Sequence, residues 1–470
     1  MSVSVIVPVR NSPAYLARCL EAVLASAYVG YECIVVDDGS TDDTRAVARR
    51  FPVRLIELPG GPYGPGYARN RGAEAARGDI LLFVDADVII TADTIREVVE
   101  TMAARPQPAA VFGSYDDSPG SQEFLSQYKN LFHHFVHQQA NEEAATFWAG
   151  CGAVRREVFL ALGGFDVQRY PRPCIEDIEL GYRLRAAGHE IALNKQIQVK
   201  HLKRWTLRGI ARSDIIDRGI PWTLLILQHR ALPNDLNLRT SQRASALLAC
   251  LLAGYLVWLT VYEGTVRLPL LIGLFALMTA GWSRQPPHYQ MGVAAGGADA
   301  LLAGGIALAA IYAGDIAMLP AIGLFPGAVV VGRLLSRRGA VSAQISLGAI
   351  VLGFVLVWAQ LQGRLPWPVA VVGLALLLAV LALNYRFYAF FTRKRGPVFA
   401  AAVMPFHMVY FLYSVAALVL GIALHIVRSL PLAPRRYMRP SRPPVAATSV
   451  PAEEDCNREA SRDHGGTPIG

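Results

Sequence analysis

The chain has 470 residues, a net charge of +9, 53% hydrophobic and 17% charged residues, with a mean hydropathy of +0.32. This composition excludes a disordered chain and argues against one that is soluble throughout. Charge is also unevenly spread: between Ala244 and Val427 only Glu263, Asp299 and Asp315 are acidic, with ten basic residues. An ordinary globular part and a lipid-compatible part therefore share the chain. The positive charge first suggests nucleic acid, but many bases flank apolar segments or lie in the tail (Arg428, Arg435, Arg436, Arg439, Arg442). Anionic lipid is the simpler partner, and none of the charge calls for nucleic acid. The six cysteines form no C-x-x-C pair and are expected to be reduced and structural. The apolar run Val3–Val7 ends at Pro8 and Arg10, too short for the core of a secretion signal, so the globular part is expected in the cytoplasm.

In chain order, strand-like SVSVIVPV (2–9) leads to a helical stretch at 12–26, and ECIVVDD (32–38) leads through GSTDD into a second helix. VRLIEL (53–58) and GDILLFVDAD (78–87) repeat the alternation. Val/Ile-rich strands separated by helices predict a largely parallel sheet covered on both faces, with functional loops at the carboxyl ends of its strands. Two such ends carry acid pairs, Asp37/Asp38 and Asp85/Asp87. The latter pair, two positions apart after a buried strand, suits a divalent cation, Mg²⁺ or Mn²⁺, bridging to a diphosphate. Asp42 and Asp43 are better read as acids complementing a helix dipole. The glycine-rich loop from Gly60 opens a helix carrying Arg69, Asn70 and Arg71. Amides and guanidinium suit a diphosphate, although neither the P-loop nor the G-x-G-x-x-G arrangement is present.

Farther on, 175–187 reads as a helix capped by Gly188, and IALN (191–194) as a strand. His133, His134 and His137 lie on what reads as a polar helix, without a matching acid pattern for metal. The segment 206–228 mixes charge with apolar residues as an interfacial helix does, and PNDLN (233–237) reads as a turn. Membrane spans are expected near 244–262, 266–283, 292–312, 316–335, 342–361, 367–391 and 398–427, with Pro405 and His407 marking a re-entrant part in the last, hence six to seven helices. Basic loops around Arg284, Arg333–Arg338 and Arg386–Arg395 place those loops on the side of the N-terminal domain. Beyond about 431 the chain is expected to be disordered.

The run of VSVIVPVRN, VVDDGSTDDT, GYARNRG with DILLFVDAD, WAGCGAVRREVFLALGGFD (148–166) and IEDIELGYRLRAAGHEIAL (175–193) resembles the family 2 glycosyltransferases. The resemblance covers about residues 2–205 and implies an α/β GT-A nucleotide-sugar domain with a mostly parallel sheet, followed here by an all-α transmembrane domain. Together with the hydropathy and charge pattern, this gives expected domains at 1–205 (transferase), 206–240 (interfacial), 241–430 (transmembrane) and 431–470 (tail). Pro8, Val9 and Asp38 would line the base and ribose pocket, Arg69 would approach the diphosphate, Asp85 would orient sugar or ribose, and Asp87 would bind the metal. Trp148, Gly150 and their neighbours to Gly152, with Gly164–Asp166, would shape the acceptor side. Asp177, with Glu176 beside it, matches the catalytic base. Arg10 departs from an aromatic common before the asparagine kept as Asn11, so the nucleotide stays open. HLKRW (201–205) resembles the Q-x-x-R-W signature of membrane polysaccharide synthases with His201 in place of glutamine. His201 is expected at the metal, Arg204 at phosphate, and Trp205 either stacked on the acceptor or marking the interface.

The expected function is a multi-pass inner-membrane, inverting, metal-dependent glycosyltransferase moving a sugar from a nucleotide-sugar to a lipid or lipid-linked acceptor. A processive polysaccharide synthase and a transporter or scramblase with a regulatory sugar domain are the alternatives; few intramembrane charges argue against an ion-coupled pump.

Overall fold

The computed structural model describes residues 1–104, 108–262 and 367–429. The expected spans between 266 and 361, and the tail beyond 431, lie outside the described residues. The described residues up to His425 form one compact unit.

The first half alternates as its sequence predicts: β1 (Val3–Val9), α1 (Pro13–Leu24), β2 (Tyr31–Asp37), α2 (Thr44–Ala48), β3 (Arg54–Glu57), α3 (Pro65–Ala75) and β4 (Ile80–Val84). β1 and β4 are buried at every position, which is why their sequences run apolar without alternation. The remaining strands are β5 (Val88–Ile89), β6 (Pro108–Tyr115), β7 (Cys151–Arg155) and β8 (Glu190–His201), and the sheet order is β3-β2-β1-β4-β7-β6-β8-β5. β1, β2, β3 and β4 are parallel, whereas β7 runs antiparallel to both β4 and β6. The sheet is therefore mixed, and parallel only in its N-terminal half and between β6 and β8. Strand order reverses about β1, which puts the β1 and β4 ends at the switch point where ligands of open α/β sheets bind. β8 is much longer than the IALN segment expected; its final residue, His201, pairs opposite Val88.

Helices α4 (Thr94–Ala104), α5 (Phe124–Gln139), α6 (Arg156–Ala161) and α7 (Glu176–Ala186) cover the sheet. α7 crosses the backbone of Thr146 and Phe147 so closely that a Cβ on Gly181 would collide with both. Gly188 (φ +81°) then stops the chain in the left-handed region.

α8 (Leu207–Ala211), a π-helical stretch (Arg212–Gly219) and α9 (Ile220–His229) form one helical run over the expected interfacial segment, started by the Thr206 hydroxyl accepting from Gly209 N at 3.1 Å. Then come α10 (Thr240–Tyr262), α11 (Trp367–Leu383), α12 (Tyr385–Arg395) and α13 (Pro397–Ser429). Among the described residues α13 is the one helix long and apolar enough to cross a membrane, and α11 with α12 makes a second candidate if a bent pair counts as one span. The expected span 367–391 is instead broken at Asn384, where the pair bends by 65°. Asn384 is buried and donates to Ser245 Oγ (2.9 Å) and Val380 O (2.8 Å), so a polar side chain takes over hydrogen bonds at the break. No break occurs at Pro405 or His407: α13 is continuous through both.

α5 is not the polar helix its histidines suggest. His134 and His137 are buried, and Phe124, Tyr128 and Phe132 pack against aromatic residues of α12 and α13. Its polar-looking face meets other protein instead of water. The five described cysteines are free, and burial pushes the Cys33 and Cys151 thiols up to about 12, which keeps them unreactive; Cys456 lies outside the described residues.

Replacing Gly181 by alanine is expected to lower stability by about 1–3 kcal/mol, because the obstructing atoms are backbone and cannot rotate away. Thermal unfolding of the purified protein checks this, and an unchanged midpoint would refute the close crossing.

Candidate active site

Arg69 is the organising residue. It lies in the first half of α3 and is only 5% exposed. Nη2 donates to Asp85 Oδ1 at 2.7 Å and Nη1 to Glu176 Oε1 at 3.0 Å. The guanidinium therefore ties the end of β4 to the first turn of α7. Arg69, expected at the diphosphate, has both of its terminal nitrogens engaged by carboxylates of the chain. Glu176 is also 5% exposed, and its second oxygen accepts Cys174 N at 2.9 Å. Glu176, expected beside Asp177 in catalysis, thus has both carboxylate oxygens engaged, one by Arg69 and one by Cys174 N. Asn70, next to Arg69, exchanges two 2.9 Å hydrogen bonds with the Phe165 backbone and so fixes the GGFD segment.

Asp177 is held by backbone donors instead of a cation. Oδ2 accepts Ala149 N at 3.1 Å and Oδ1 accepts Ile178 N at 2.8 Å, which joins the 148–152 segment to α7. Burial, together with the neighbouring Glu176 charge, pushes the Asp177 carboxyl up to about 6, against the pull of Arg218. That value suits a general base working near neutrality. Trp148 is buried edge-on to Tyr115 (4.9 Å between centroids), and its indole lies over Gly150, where no Cβ would fit.

At the other side of the D-x-D turn, His201 is 4% exposed and stacks on Tyr115 at 4.2 Å. Its Nδ1 faces Asn130 Oδ1 at 2.7 Å, and its Nε2 lies 3.4 Å from Asp87 Oδ2. With Asn130 as acceptor, Nδ1 carries a proton. Nε2 and the carboxylate are then two acceptors face to face, a contact that requires a proton or a metal ion between them. Burial raises the Asp85 carboxyl against Arg69. At Asp87 burial is outweighed by the His201 hydrogen bond and charge, which hold the carboxyl below its usual value. No cluster of three or more His, Cys, Asp or Glu side chains suited to a metal occurs among the described residues. A divalent ion here would take Asp87 and His201 from the chain and complete its shell from oxygens of a substrate. The donor set fits Mg²⁺ or Mn²⁺ on those terms.

Asp38 is buried and accepts Tyr63 N and Gly64 N, both at 2.8 Å, holding the glycine-rich loop beside the ends of β1 and β2. Pro8 and Val9 are buried at the end of β1, and Val9 O accepts Asp38 N at 2.9 Å. Arg204 is 68% exposed and paired with Glu123, so it is a surface residue and not part of the cluster. Trp205 stands edge-on to His201 at 6.5 Å, its ring covered by Lys203. The structure thus gathers Arg69, Asp85, Asp87, Glu176, Asp177 and His201, and leaves Arg204 outside.

Residues 4–163 match the family model "Glycosyl transferase family 2". Curated relatives agree. The chain is 30% identical over 126 residues to the glycosyltransferase GlyG of Streptococcus pneumoniae, covering 25% of this chain and 42% of that protein. It is 38% identical over 112 residues to the succinoglycan biosynthesis protein ExoO of Rhizobium meliloti, covering 23% and 32%. The chain thus spans less than half the length of these relatives. A solved mannosyltransferase from Pyrobaculum calidifontis, in complex with GDP-Man and Mn²⁺, is 22% identical and covers 48% of this chain and 62% of its own, with a TM-score of 0.36. The family 2 match stops before Asp177 and His201, so the roles of these two residues rest on their geometry.

Asn130, Tyr115, Lys129 and Arg218 escaped sequence reasoning. None belongs to a motif, and each acquires its place only when α5 and the helical run after β8 close over the sheet. Arg69→Met leaves two carboxylates without their cation and is expected to destabilise the fold by about 3–5 kcal/mol. Arg69→Lys should recover only part of this, since one ammonium cannot reproduce the fork. Thermal or denaturant unfolding of both variants measures it; a near-neutral Arg69→Met would refute the clamp.

Proposed function

We propose that the protein is a membrane-anchored, metal-dependent, inverting glycosyltransferase that moves a sugar from a nucleotide-sugar to a lipid or lipid-linked glycan acceptor. The observation that carries this reading is the Arg69 clamp, which sets the D-x-D turn and the Asp177 carboxylate on either side of one buried cation. A group for the leaving diphosphate and a group for the acceptor are thereby held in one site, as a single displacement requires.

Asp177 takes the proton of the acceptor hydroxyl as its oxygen attacks the anomeric carbon from the face opposite the diphosphate. Ala149 N–H and Ile178 N–H orient that carboxylate. Asp38 holds the Tyr63–Gly64 loop against the nucleotide side. Asp87 and His201 Nε2 would hold Mg²⁺ or Mn²⁺, which when bound neutralises charge developing on the diphosphate. Asn130 keeps the His201 ring in the orientation that presents Nε2.

Membrane anchoring draws on α13 and the apolar residues it exposes, including Val409, Leu418, Val419 and Ile422. Arg395 of α12 donates to Gln127 Oε1 (2.7 Å) and Asp117 O (3.0 Å), and Lys394 pairs with Asp117. The basic end of α12 thus faces the transferase domain, as the positive-inside rule requires of a cytoplasmic domain in a multi-pass protein. A relative named for succinoglycan biosynthesis agrees with a glycan product.

Asp177→Asn is expected to lower kcat roughly 100- to 10,000-fold while nucleotide-sugar binding persists. The wild-type rate should rise as pH increases through about 6, as Asp177 loses its proton, and the variant should lack that inflection. Steady-state transfer to a membrane lipid extract across pH tests both, and full activity of Asp177→Asn would end the assignment. Asn130→Ala is expected to weaken Mn²⁺ binding about 10- to 100-fold, measured by calorimetric titration with nucleoside diphosphate present; unchanged affinity would remove His201 from the metal.

A further inference from the structure

A cavity of about 610 Å³ runs from Asp177 and Trp148 to the membrane-side helices, lined by residues of α5, α7, the π-helical stretch, α9, α10 and α13. Its far walls are apolar, with Trp222, Ile226, Leu247, Phe411 and Val415 among them. The wall is a close-packed unit. A Cβ on Gly219 would lie 2.6 Å from Ala417 Cβ, and one on Gly421 2.6 Å from Thr223 Cβ, so the helical run after β8 meets α13 at small residues. Thus α13, which provides part of the cavity's apolar wall, is also the helix of membrane-spanning length among the described residues.

The charges on the lining do not balance. Lys129 and Asp214 satisfy each other at 2.6 Å, and the Tyr413 hydroxyl donates to Asp214 at 2.5 Å. Among the described residues, Arg243 donates only to the neutral oxygens of Asn234 and Thr240. Arg218 is half-buried and makes no hydrogen bond or ion pair among the described residues; the Asp177 carboxylate feels its charge without touching it, so Arg218 and Arg243 face that one unpaired acid. His133 and His137 add no charge: burial drives both below their ordinary values, His137 to about 4. A half-buried guanidinium with no hydrogen-bonded partner is unfavourable, and guanidinium favours the oxygens of phosphate. An apolar chamber continuous with a membrane-length helix, a surplus cation in its wall and a carboxylate at its inner end together describe an amphiphile with an anionic head.

We propose that this cavity seats a membrane lipid whose head group carries a phosphate, with Arg218 holding the phosphate and the apolar walls holding the chain. Calling that lipid the acceptor rests on the transferase reading; its binding does not. Arg218 is then a substrate-binding residue supplied by the interfacial segment.

The test uses full-length protein in phosphatidylcholine nanodiscs, with a polyisoprenyl phosphate carrying a diazirine in its chain and the matching uncharged polyisoprenol. Photolabelling without donor should mark peptides from α9 and α13 with the phosphate lipid. Arg218→Gln should reduce that labelling at least tenfold, and Arg218→Lys should retain most of it. Ala246→Trp, which fills the chamber and leaves Arg218 in place, should also block it, and decides the matter if Arg218→Gln fails to fold. Equal labelling of wild type and Arg218→Gln, equal labelling by the uncharged polyisoprenol, or abolition by millimolar inorganic phosphate would overturn the proposal. Loss of sugar transfer with labelling intact would instead overturn the transferase reading and leave the lipid site standing.

Discussion

A buried guanidinium between two carboxylates from distant parts of the chain is the constraint on which the site depends. Arg69 comes from α3, Asp85 from the end of β4 and Glu176 from the start of α7. Burying these charges is unfavourable unless all three are present and well placed. Their mutual satisfaction fixes α7 relative to the central sheet, and Asp177 inherits its position from Glu176. The Asp177 carboxylate therefore does not need to be held by its own ion pair. It keeps two backbone donors, and burial beside a second acid raises its pKa into the useful range.

A second set of contacts decides what lies opposite that base. Aromatic side chains of α5 pack into α12 and α13, while Lys129, Asp214 and Tyr413 link α5, the π-helical stretch and α13 through one polar cluster. The π-helical turns precede Pro221, which has no N–H to continue the ladder. Widened turns of this kind are common at functional sites, and here they carry both Asp214 and Arg218. The C-terminal helices and the sheet domain thus share one packed boundary, in which the proposed lipid site lies.

Much of the fold was readable in advance because its signals are local. Apolar runs mark β1, β2 and β4, the last two introduced by Gly30 and Gly78, and an acid pair after a buried strand marks the D-x-D turn. Errors arose where one-dimensional pattern hides a partner. The histidines of α5 look like a polar face because the aromatic residues of α12 and α13 that pack on this helix lie far along the chain. The 367–391 stretch looks like a continuous span because hydropathy does not register a buried asparagine bonding across to Ser245. Arg69 and Arg204 look alike beside their motifs, yet one is enclosed by carboxylates and the other lies in water.

Sequence alone determined the class of domain, the order of its elements, the acid pairs at the strand ends and the presence of apolar segments, since these follow from backbone period and side-chain transfer free energy. Tertiary structure alone decided which charges are buried together, which way the His201 ring faces and which cation remains without a partner. Those properties depend on distances between residues far apart in the chain, and electrostatic and desolvation energies change steeply over a few ångströms.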